Sequence, residues 1–85
     1  MSTTLPAKLT MNDAAAAAQA AAAAARASGQ WAFDASAITR FDSAAIATLL
    51  ELRRQADGKP FSVTGTPAAM KELAGLYGVA ELLKL

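Results

Sequence analysis

The chain has 85 residues, a length that supports one small domain, so we expect a single domain spanning residues 1–85. A formal net charge of +1, with 18% of residues charged, excludes the strong positive field that nucleic-acid-binding domains carry. The sequence contains neither cysteine nor histidine, so it lacks a thiolate nucleophile, the commonest general base and the commonest metal ligand.

The N-terminal third predicts one short strand and one helix. Residues 7–10, AKLT, favour an edge strand. The alanine-rich stretch that follows has very high helix propensity, and Thr10 or Asn12 is suited to cap its start. We expect this helix to end near Ala27, because Gly29 readily adopts the left-handed conformation that closes a helix.

The same alanine-rich helix is too short for a membrane span. The run from Ala14 to Ala25 has about 12 residues, whereas roughly 20 apolar residues are needed to cross a bilayer. The first ten residues, MSTTLPAKLT, also lack the apolar core of a signal peptide. We therefore expect a cytoplasmic protein with no direct membrane insertion.

The central stretch, WAFDASAITRFDSAAIATLLELRRQ, combines two periodicities. An unbroken run of aromatic and apolar residues favours a buried strand from Trp31 to Ala35, and residues 36–41 are predicted as a loop. From Ser43 to about Ala56, large apolar residues recur at helical spacing. Asp42 and Ser43 are both favourable cap residues, so we expect the helix to begin there.

The last third predicts another strand and another helix. A turn at residues 57–60 precedes a strand from Phe61 to Thr64. Pro67 suits the first turn of the helix that follows, and Gly78 ends it. The pattern leaves the tail after Gly78 open between a short helix and an edge strand. The apolar stripe of this helix is expected at Met70, Leu73, Ala74 and Tyr77.

Strands that alternate with helices through short connections are typical of an α/β fold with right-handed crossovers. We therefore expect a small α/β domain with a mostly parallel sheet of three to four strands, packed with helices. Alanine side chains bury little apolar surface, so most of the core should come from the second half of the chain.

Two pairs of Asp and Ser in the central stretch resemble the signature of the STAS domain family, named after sulfate transporters and anti-sigma factor antagonists. In that family a buried strand ends in Asp-x-Ser, here Asp34 and Ser36, and a second pair starts a helix, here Asp42 and Ser43. The family usually continues with Ser-Gly or Gly-Gly, whereas this chain has two alanines at 44 and 45. The resemblance implies a STAS-like fold.

Within the family, the chain is most similar to the MlaB-like group, the STAS subunits of bacterial phospholipid-transporting ABC complexes. The shared elements are DSAAIATLLELRRQA and a later Leu-Ala-x-Leu-Tyr element formed by Leu73, Ala74, Leu76 and Tyr77. The resemblance implies a non-catalytic accessory subunit that binds and supports the cytoplasmic ATPase of a complex acting on outer-membrane lipid asymmetry. Such a subunit would be peripheral to the inner membrane through its partner.

The start and outward side of the central helix form the surface that we expect a partner to contact. Small side chains there would let another protein approach the helix backbone closely, and charged residues would form a rim. This docking face comprises Arg40, Asp42, Ser43, Ala44, Ala47, Thr48 and Glu51. The alternative is a solvated helix face whose alanines serve only helix propensity.

Ser43 also supports a second hypothesis, taken from the other role in the family. As an anti-sigma factor antagonist, the protein would be phosphorylated on Ser43 by a serine kinase, and the added charge of about −1.5 to −2 would disrupt the complex. The simplest interpretation of Ser43 is that it only caps the helix.

The sequence gives little support to catalysis or cofactor binding. Asp34, Asp42, Ser43 and Lys59 are the polar side chains of interest, and they have no His or Cys partner that would activate a nucleophile. The carboxylates match no metal-ligand spacing, and no Gly-rich phosphate loop is present. We expect no enzyme activity, cofactor, metal or small-molecule substrate.

Overall fold

A computed structural model describes residues 2–85 of the chain; Met1, the first residue of the predicted domain, lies outside this range. The described part has three helices and five strands. In chain order these are β1 (Thr3–Thr4), β2 (Lys8–Leu9), α1 (Ala14–Ser28), β3 (Trp31–Asp34), β4 (Arg40–Phe41), α2 (Ser43–Ala56), β5 (Phe61–Thr64) and α3 (Ala68–Leu76). The predicted α/β class is confirmed.

The strands form two parallel sheets. The larger has the order β1-β3-β5, with Phe33 of β3 opposite both Thr3 and Val63. The smaller pairs β2 with β4. The predicted strand in AKLT is thus confirmed, whereas the prediction that residues 36–41 are all loop is wrong. A two-residue strand is too short to produce a recognisable alternation of apolar and polar residues.

The core lies where β3 and β5 meet the helices. Phe33 is fully buried, and its ring packs edge-on against Trp31 at 6.4 Å and tilted against Phe61 at 5.8 Å. Ile46 and Leu49 of α2 are buried on the same core. The alanine helix contributes only small side chains, as expected, and buries Ala21, Ala22 and Ala25.

Helix α1 begins differently from the prediction. Asp13, rather than Thr10 or Asn12, occupies the cap position, and its side chain makes no cap bond to the helix. The carboxylate instead accepts a 2.7 Å hydrogen bond from the Thr10 hydroxyl. The predicted end is confirmed within one residue, because Gly29 is left-handed and its amide donates to the carbonyl of Ala25.

Helix α3 packs by a narrower stripe than the sequence predicts. Met70 and Ala74 are buried, but Tyr77 lies beyond the last helical residue and is 54% exposed, so its assignment to the apolar stripe is wrong. The tail after Gly78 forms turns rather than a strand. Leu83 is completely buried and fixes this tail against the core.

Candidate functional site

Asp42 connects the start of α2 to the N-terminal part of the chain. Its Oδ1 accepts a 2.8 Å hydrogen bond from the amide of Ala44, which is the cap bond that the sequence predicts. Its Oδ2 accepts a 3.1 Å hydrogen bond from the amide of Met11, just after β2. Both carboxylate oxygens are therefore engaged within the chain, and Asp42 positions the docking face by joining two segments 31 residues apart.

Ser43 is the first residue of α2 and is exposed to solvent. Because Asp42 supplies the side-chain cap, the hydroxyl of Ser43 is not needed to start the helix. A group added to this hydroxyl would lie at the positive end of the α2 dipole, where unpaired amides favour an anion.

The docking face is smooth near its centre but smaller than predicted. Ala47 is exposed, and Ala44 is half-buried. Thr48 is only 3% exposed, so its predicted place on the outward side of α2 is wrong. The reason is that α1 packs along α2 and widens the buried side of the helix. The hydroxyl of Thr48 is satisfied within the helix by the carbonyl of Ala44, at 2.9 Å.

The charged rim of the docking face is an organised network. Glu51 Oε1 accepts a 2.9 Å hydrogen bond from Arg54 Nε, and its Oε2 accepts one of 2.8 Å from Gln55 Nε2. These bonds, that from Arg54 first, lower the pKa of Glu51 from 4.5 to about 2. Arg26 of α1 donates to Gln55 Oε1 at 2.8 Å, so the network extends from α2 to α1. Arg40, on β4, is exposed at the other end of the face.

The first Asp and Ser pair forms a separate turn. Asp34 Oδ1 accepts a 2.9 Å hydrogen bond from the backbone amide of Ser36, and hydrogen bonding from Ser36 lowers the pKa of Asp34 below its usual range. Gly65, which follows β5, approaches this turn so closely that a Cβ there would lie 2.8 Å from the Cβ of Ser36. The two pairs share no hydrogen-bond partner: Asp34 contacts Ser36, whereas Asp42 contacts Met11 and Ala44.

Three of these contacts were not predicted from the sequence. The hydrogen bond between Met11 and Asp42, the bond between Arg26 and Gln55, and the approach of Gly65 to Ser36 all join distant parts of the chain. Only Gly65 left a local signal, since a glycine directly after a strand often marks a close backbone approach.

Two further kinds of feature are absent from the described residues. Within residues 2–85, no three side chains of His, Cys, Asp or Glu are grouped so that they could hold a metal ion. No helix in that range combines the length and the apolar character that crossing a membrane requires.

Comparison with known proteins identifies the family. A family model described as "Mlab, STAS domain" matches residues 4–84, almost the whole chain. A search of curated proteins and a search of solved structures each returned no match. The extent of the family match, together with the α/β fold and the Asp-Ser pair at the start of α2, shows that the chain belongs to the STAS domain family and, within it, to the MlaB type.

Proposed function

We propose that this STAS domain is a non-catalytic accessory subunit that binds the cytoplasmic ATPase of a phospholipid-transporting ABC complex. It would support the assembly or activity of that complex and reside in the cytoplasm, held at the inner membrane through its partner. Membership of the MlaB type supports this assignment, since a STAS domain in that context acts through protein contacts.

The observation that carries the proposal is the exposed part of the docking face. Ser43 and Ala47 lie one helical turn apart on α2, both exposed and both small. A partner surface can therefore come close to the helix backbone without displacing a large side chain. Arg40 and the bonded pair of Glu51 and Arg54 lie at its borders, where charge complementarity would fix the orientation of the partner.

Binding to the ATPase can be tested by pull-down with two variants, Ser43→Arg and Ala47→Arg. Each places a long cation in the centre of the face, where it would hinder close packing and be difficult to desolvate. We expect each variant to retain at least about tenfold less ATPase than the wild type, a loss typical of a disrupted interface centre. Circular dichroism verifies that both remain folded.

The matched control is Ala27→Arg, the same substitution at an exposed helical alanine near the C-terminal end of α1. It should bind the ATPase like the wild type. Equal binding by the wild type and both docking-face variants would contradict the location of the interface. If the wild type itself does not bind the ATPase, the proposed partner is wrong.

A second candidate function, phosphorylation-controlled antagonism of an anti-sigma factor, is favoured by one observation. Ser43 is exposed and does not serve as the helix cap, so a kinase could modify it without breaking the start of α2. The phosphate would add about −1.5 to −2 charges in the centre of a nearly neutral face and prevent docking.

Intact-mass analysis of the protein purified from its native cells distinguishes these two functions. A phosphate that disappears in a Ser43→Ala strain supports regulated antagonism. An unmodified protein that copurifies with the ATPase supports the accessory-subunit role. Copurification with an anti-sigma factor instead of an ATPase would refute our first proposal.

A further inference from the structure

The positive side chains, which are scattered in the sequence, gather at one end of the folded molecule. Arg26 lies in the last turn of α1, and Arg53 and Arg54 lie in the last turn of α2. The hydrogen bond between Arg26 and Gln55 holds these two helix ends together. With Lys59 and Lys84, which line a cavity beside Arg53, five of the eight lysines and arginines are found there.

That cavity has a volume of about 380 Å³, and three of its lining residues are cationic. Since a water molecule takes roughly 30 Å³ of liquid volume, the cavity can hold a small oxoanion together with several waters. Three acidic residues lie close to these cations in the chain, Glu51, Asp57 and Glu81, but none of them is part of the lining. The lining consists of Arg53, Gly58, Lys59, Pro60, Phe61 and Lys84.

The C-terminal tail holds one of the three cations, the Arg53 guanidinium, in place, and it carries the backbone of a second, Lys84. The guanidinium of Arg53 donates from Nε to the carbonyl of Leu82 at 2.9 Å, which directs the group while leaving its terminal nitrogens for another acceptor. The backbone amide of Lys84 donates to the carbonyl of Glu81 at 3.1 Å, and the neighbouring Leu83 is completely buried. An anion binding there would not need to order this tail first.

The end of α2 would by itself repel an anion, because its dipole is negative there. Two contacts reduce this effect: the amide of Asp57 donates to the carbonyl of Arg54, and the amide of Lys59 donates to the carbonyl of Ala56. The basic side chains around the helix end outweigh the remaining partial charge, since a helix terminus carries roughly half an elementary charge.

We propose that this cavity binds a phosphate group, presented either as inorganic phosphate or as the headgroup of an anionic phospholipid. An arginine offers a planar pair of donors that matches phosphate oxygens, and the two lysines of the lining add positive charge. None of the lining residues belongs to the docking face, so phosphate binding does not require the proposed ATPase partner.

Binding of free phosphate can be tested by NMR titration of the full chain with inorganic phosphate at constant ionic strength. We expect saturable shifts of the Gly58 and Lys59 amides and of the Arg53 side-chain N–H. The variant Lys59→Gln/Lys84→Gln should bind about tenfold more weakly, because it removes two of three charge-assisted contacts. Arg53 is left unchanged, since its bond to the tail supports the fold.

The lipid source is tested by flotation with phosphatidylcholine vesicles, with and without phosphatidylglycerol. Retention on the anionic vesicles that is lost in Lys59→Gln/Lys84→Gln would identify a headgroup as the ligand. Saturable NMR shifts without vesicle binding would identify free phosphate. Either result supports phosphate binding in the cavity and shows whether the phosphate belongs to a lipid or is free in solution.

The matched control is Lys8→Gln/Lys71→Gln, which lowers the net charge by the same amount at two exposed lysines outside the cavity. It should bind both probes like the wild type. If both double variants weaken binding equally, the interaction is general electrostatic attraction and the proposal is wrong. The absence of saturable binding to either probe would also refute it.

Discussion

At the level of single residues, Asp42 has two structural bonds that one substitution removes together. Its carboxylate accepts from the amides of Met11 and Ala44. We expect Asp42→Ala to lower the free energy of unfolding by about 1–2 kcal/mol, the usual range for losing a helix cap, with the Met11 contact placing it towards the upper end. Urea denaturation measures this change.

Ser43→Ala is the control for this prediction, because it alters the neighbouring residue without removing the cap. Its effect should remain within about 0.5 kcal/mol, as for most exposed substitutions. Equal losses for the two variants would mean that Ser43 contributes as much as Asp42 to the start of α2, which would contradict the assignment of Asp42 as the cap.

The lowered pKa of Glu51 leads to a prediction of how the free energy of unfolding depends on pH. Its pKa is lowered from 4.5 to about 2 in the folded protein, so folding favours the ionised form. This contribution is fully present above the unfolded pKa and is lost as the pH falls through about 2. We expect Glu51→Gln to reduce the loss of stability between about pH 5 and pH 2, measured by urea denaturation at a series of pH values.

The effect of Glu51→Gln should be partial, because hydrogen bonds also lower the pKa values of Asp13 and Asp34 and act in the same direction. Glu72→Gln makes the same substitution at an exposed glutamate of α3 and is the control for the change in net charge. A profile that is identical in wild type and Glu51→Gln would show that the network with Arg54 does not persist in solution.

These residues show what sequence patterns can and cannot predict. Asp42 was predicted as a cap because capping depends on neighbours within three residues. The burial of Thr48 was missed because it depends on where a second helix packs, and helical spacing places Thr48 at the margin of the apolar side. The Arg26 contact with Gln55 was missed for the same reason.

At the scale of elements, length determines which predictions succeed. Helix α2 and strand β5 have the predicted bounds because each carries enough periodic residues and is followed by a glycine turn. The two-residue strands β1 and β4 carry no such signal, and their pairing depends on distant segments. The sheet was therefore predicted in class but not in all its strands.

The ends of strands β3 and β5 meet at Gly65, which provides a prediction at this scale. Gly65 has a φ of 69°, and a Cβ there would lie 2.8 Å from the Cβ of Ser36. We expect Gly65→Ala to destabilise the protein by more than about 2 kcal/mol, since it adds a steric clash to the usual penalty of about 1–2 kcal/mol for a left-handed residue. Urea denaturation provides the measurement.

Gly29→Ala separates the two penalties. Gly29 has a similar φ of 75°, but a Cβ there meets nothing within 4 Å. The Gly29→Ala substitution should lower the free energy of unfolding by only about 1–2 kcal/mol, which is the conformational penalty alone. If both glycine variants lose the same stability, the Asp34 turn moves away readily and the close approach of Gly65 contributes nothing.

At the scale of the whole molecule, the topology separates the two proposed surfaces. Because β3 and β5 are parallel, α2 must run back from the carboxyl end of one strand to the start of the next. Its first turn, with Ser43, therefore lies at one end of the molecule, and its last turn, with Arg53, lies at the other. The residues that line the phosphate cavity are therefore distinct from those of the docking face.

Substitutions in α1 can test whether its alanines are needed for close packing against α2 or only for helix propensity. Ala25 is completely buried, whereas Ala24 on the same helix is exposed. We expect Ala25→Leu to lower the free energy of unfolding by about 1–3 kcal/mol, because extra methylene groups force closely packed helices apart. Ala24→Leu should stay within about 0.5 kcal/mol. Equal effects in urea denaturation would contradict close packing, because both substitutions change helix propensity by the same amount.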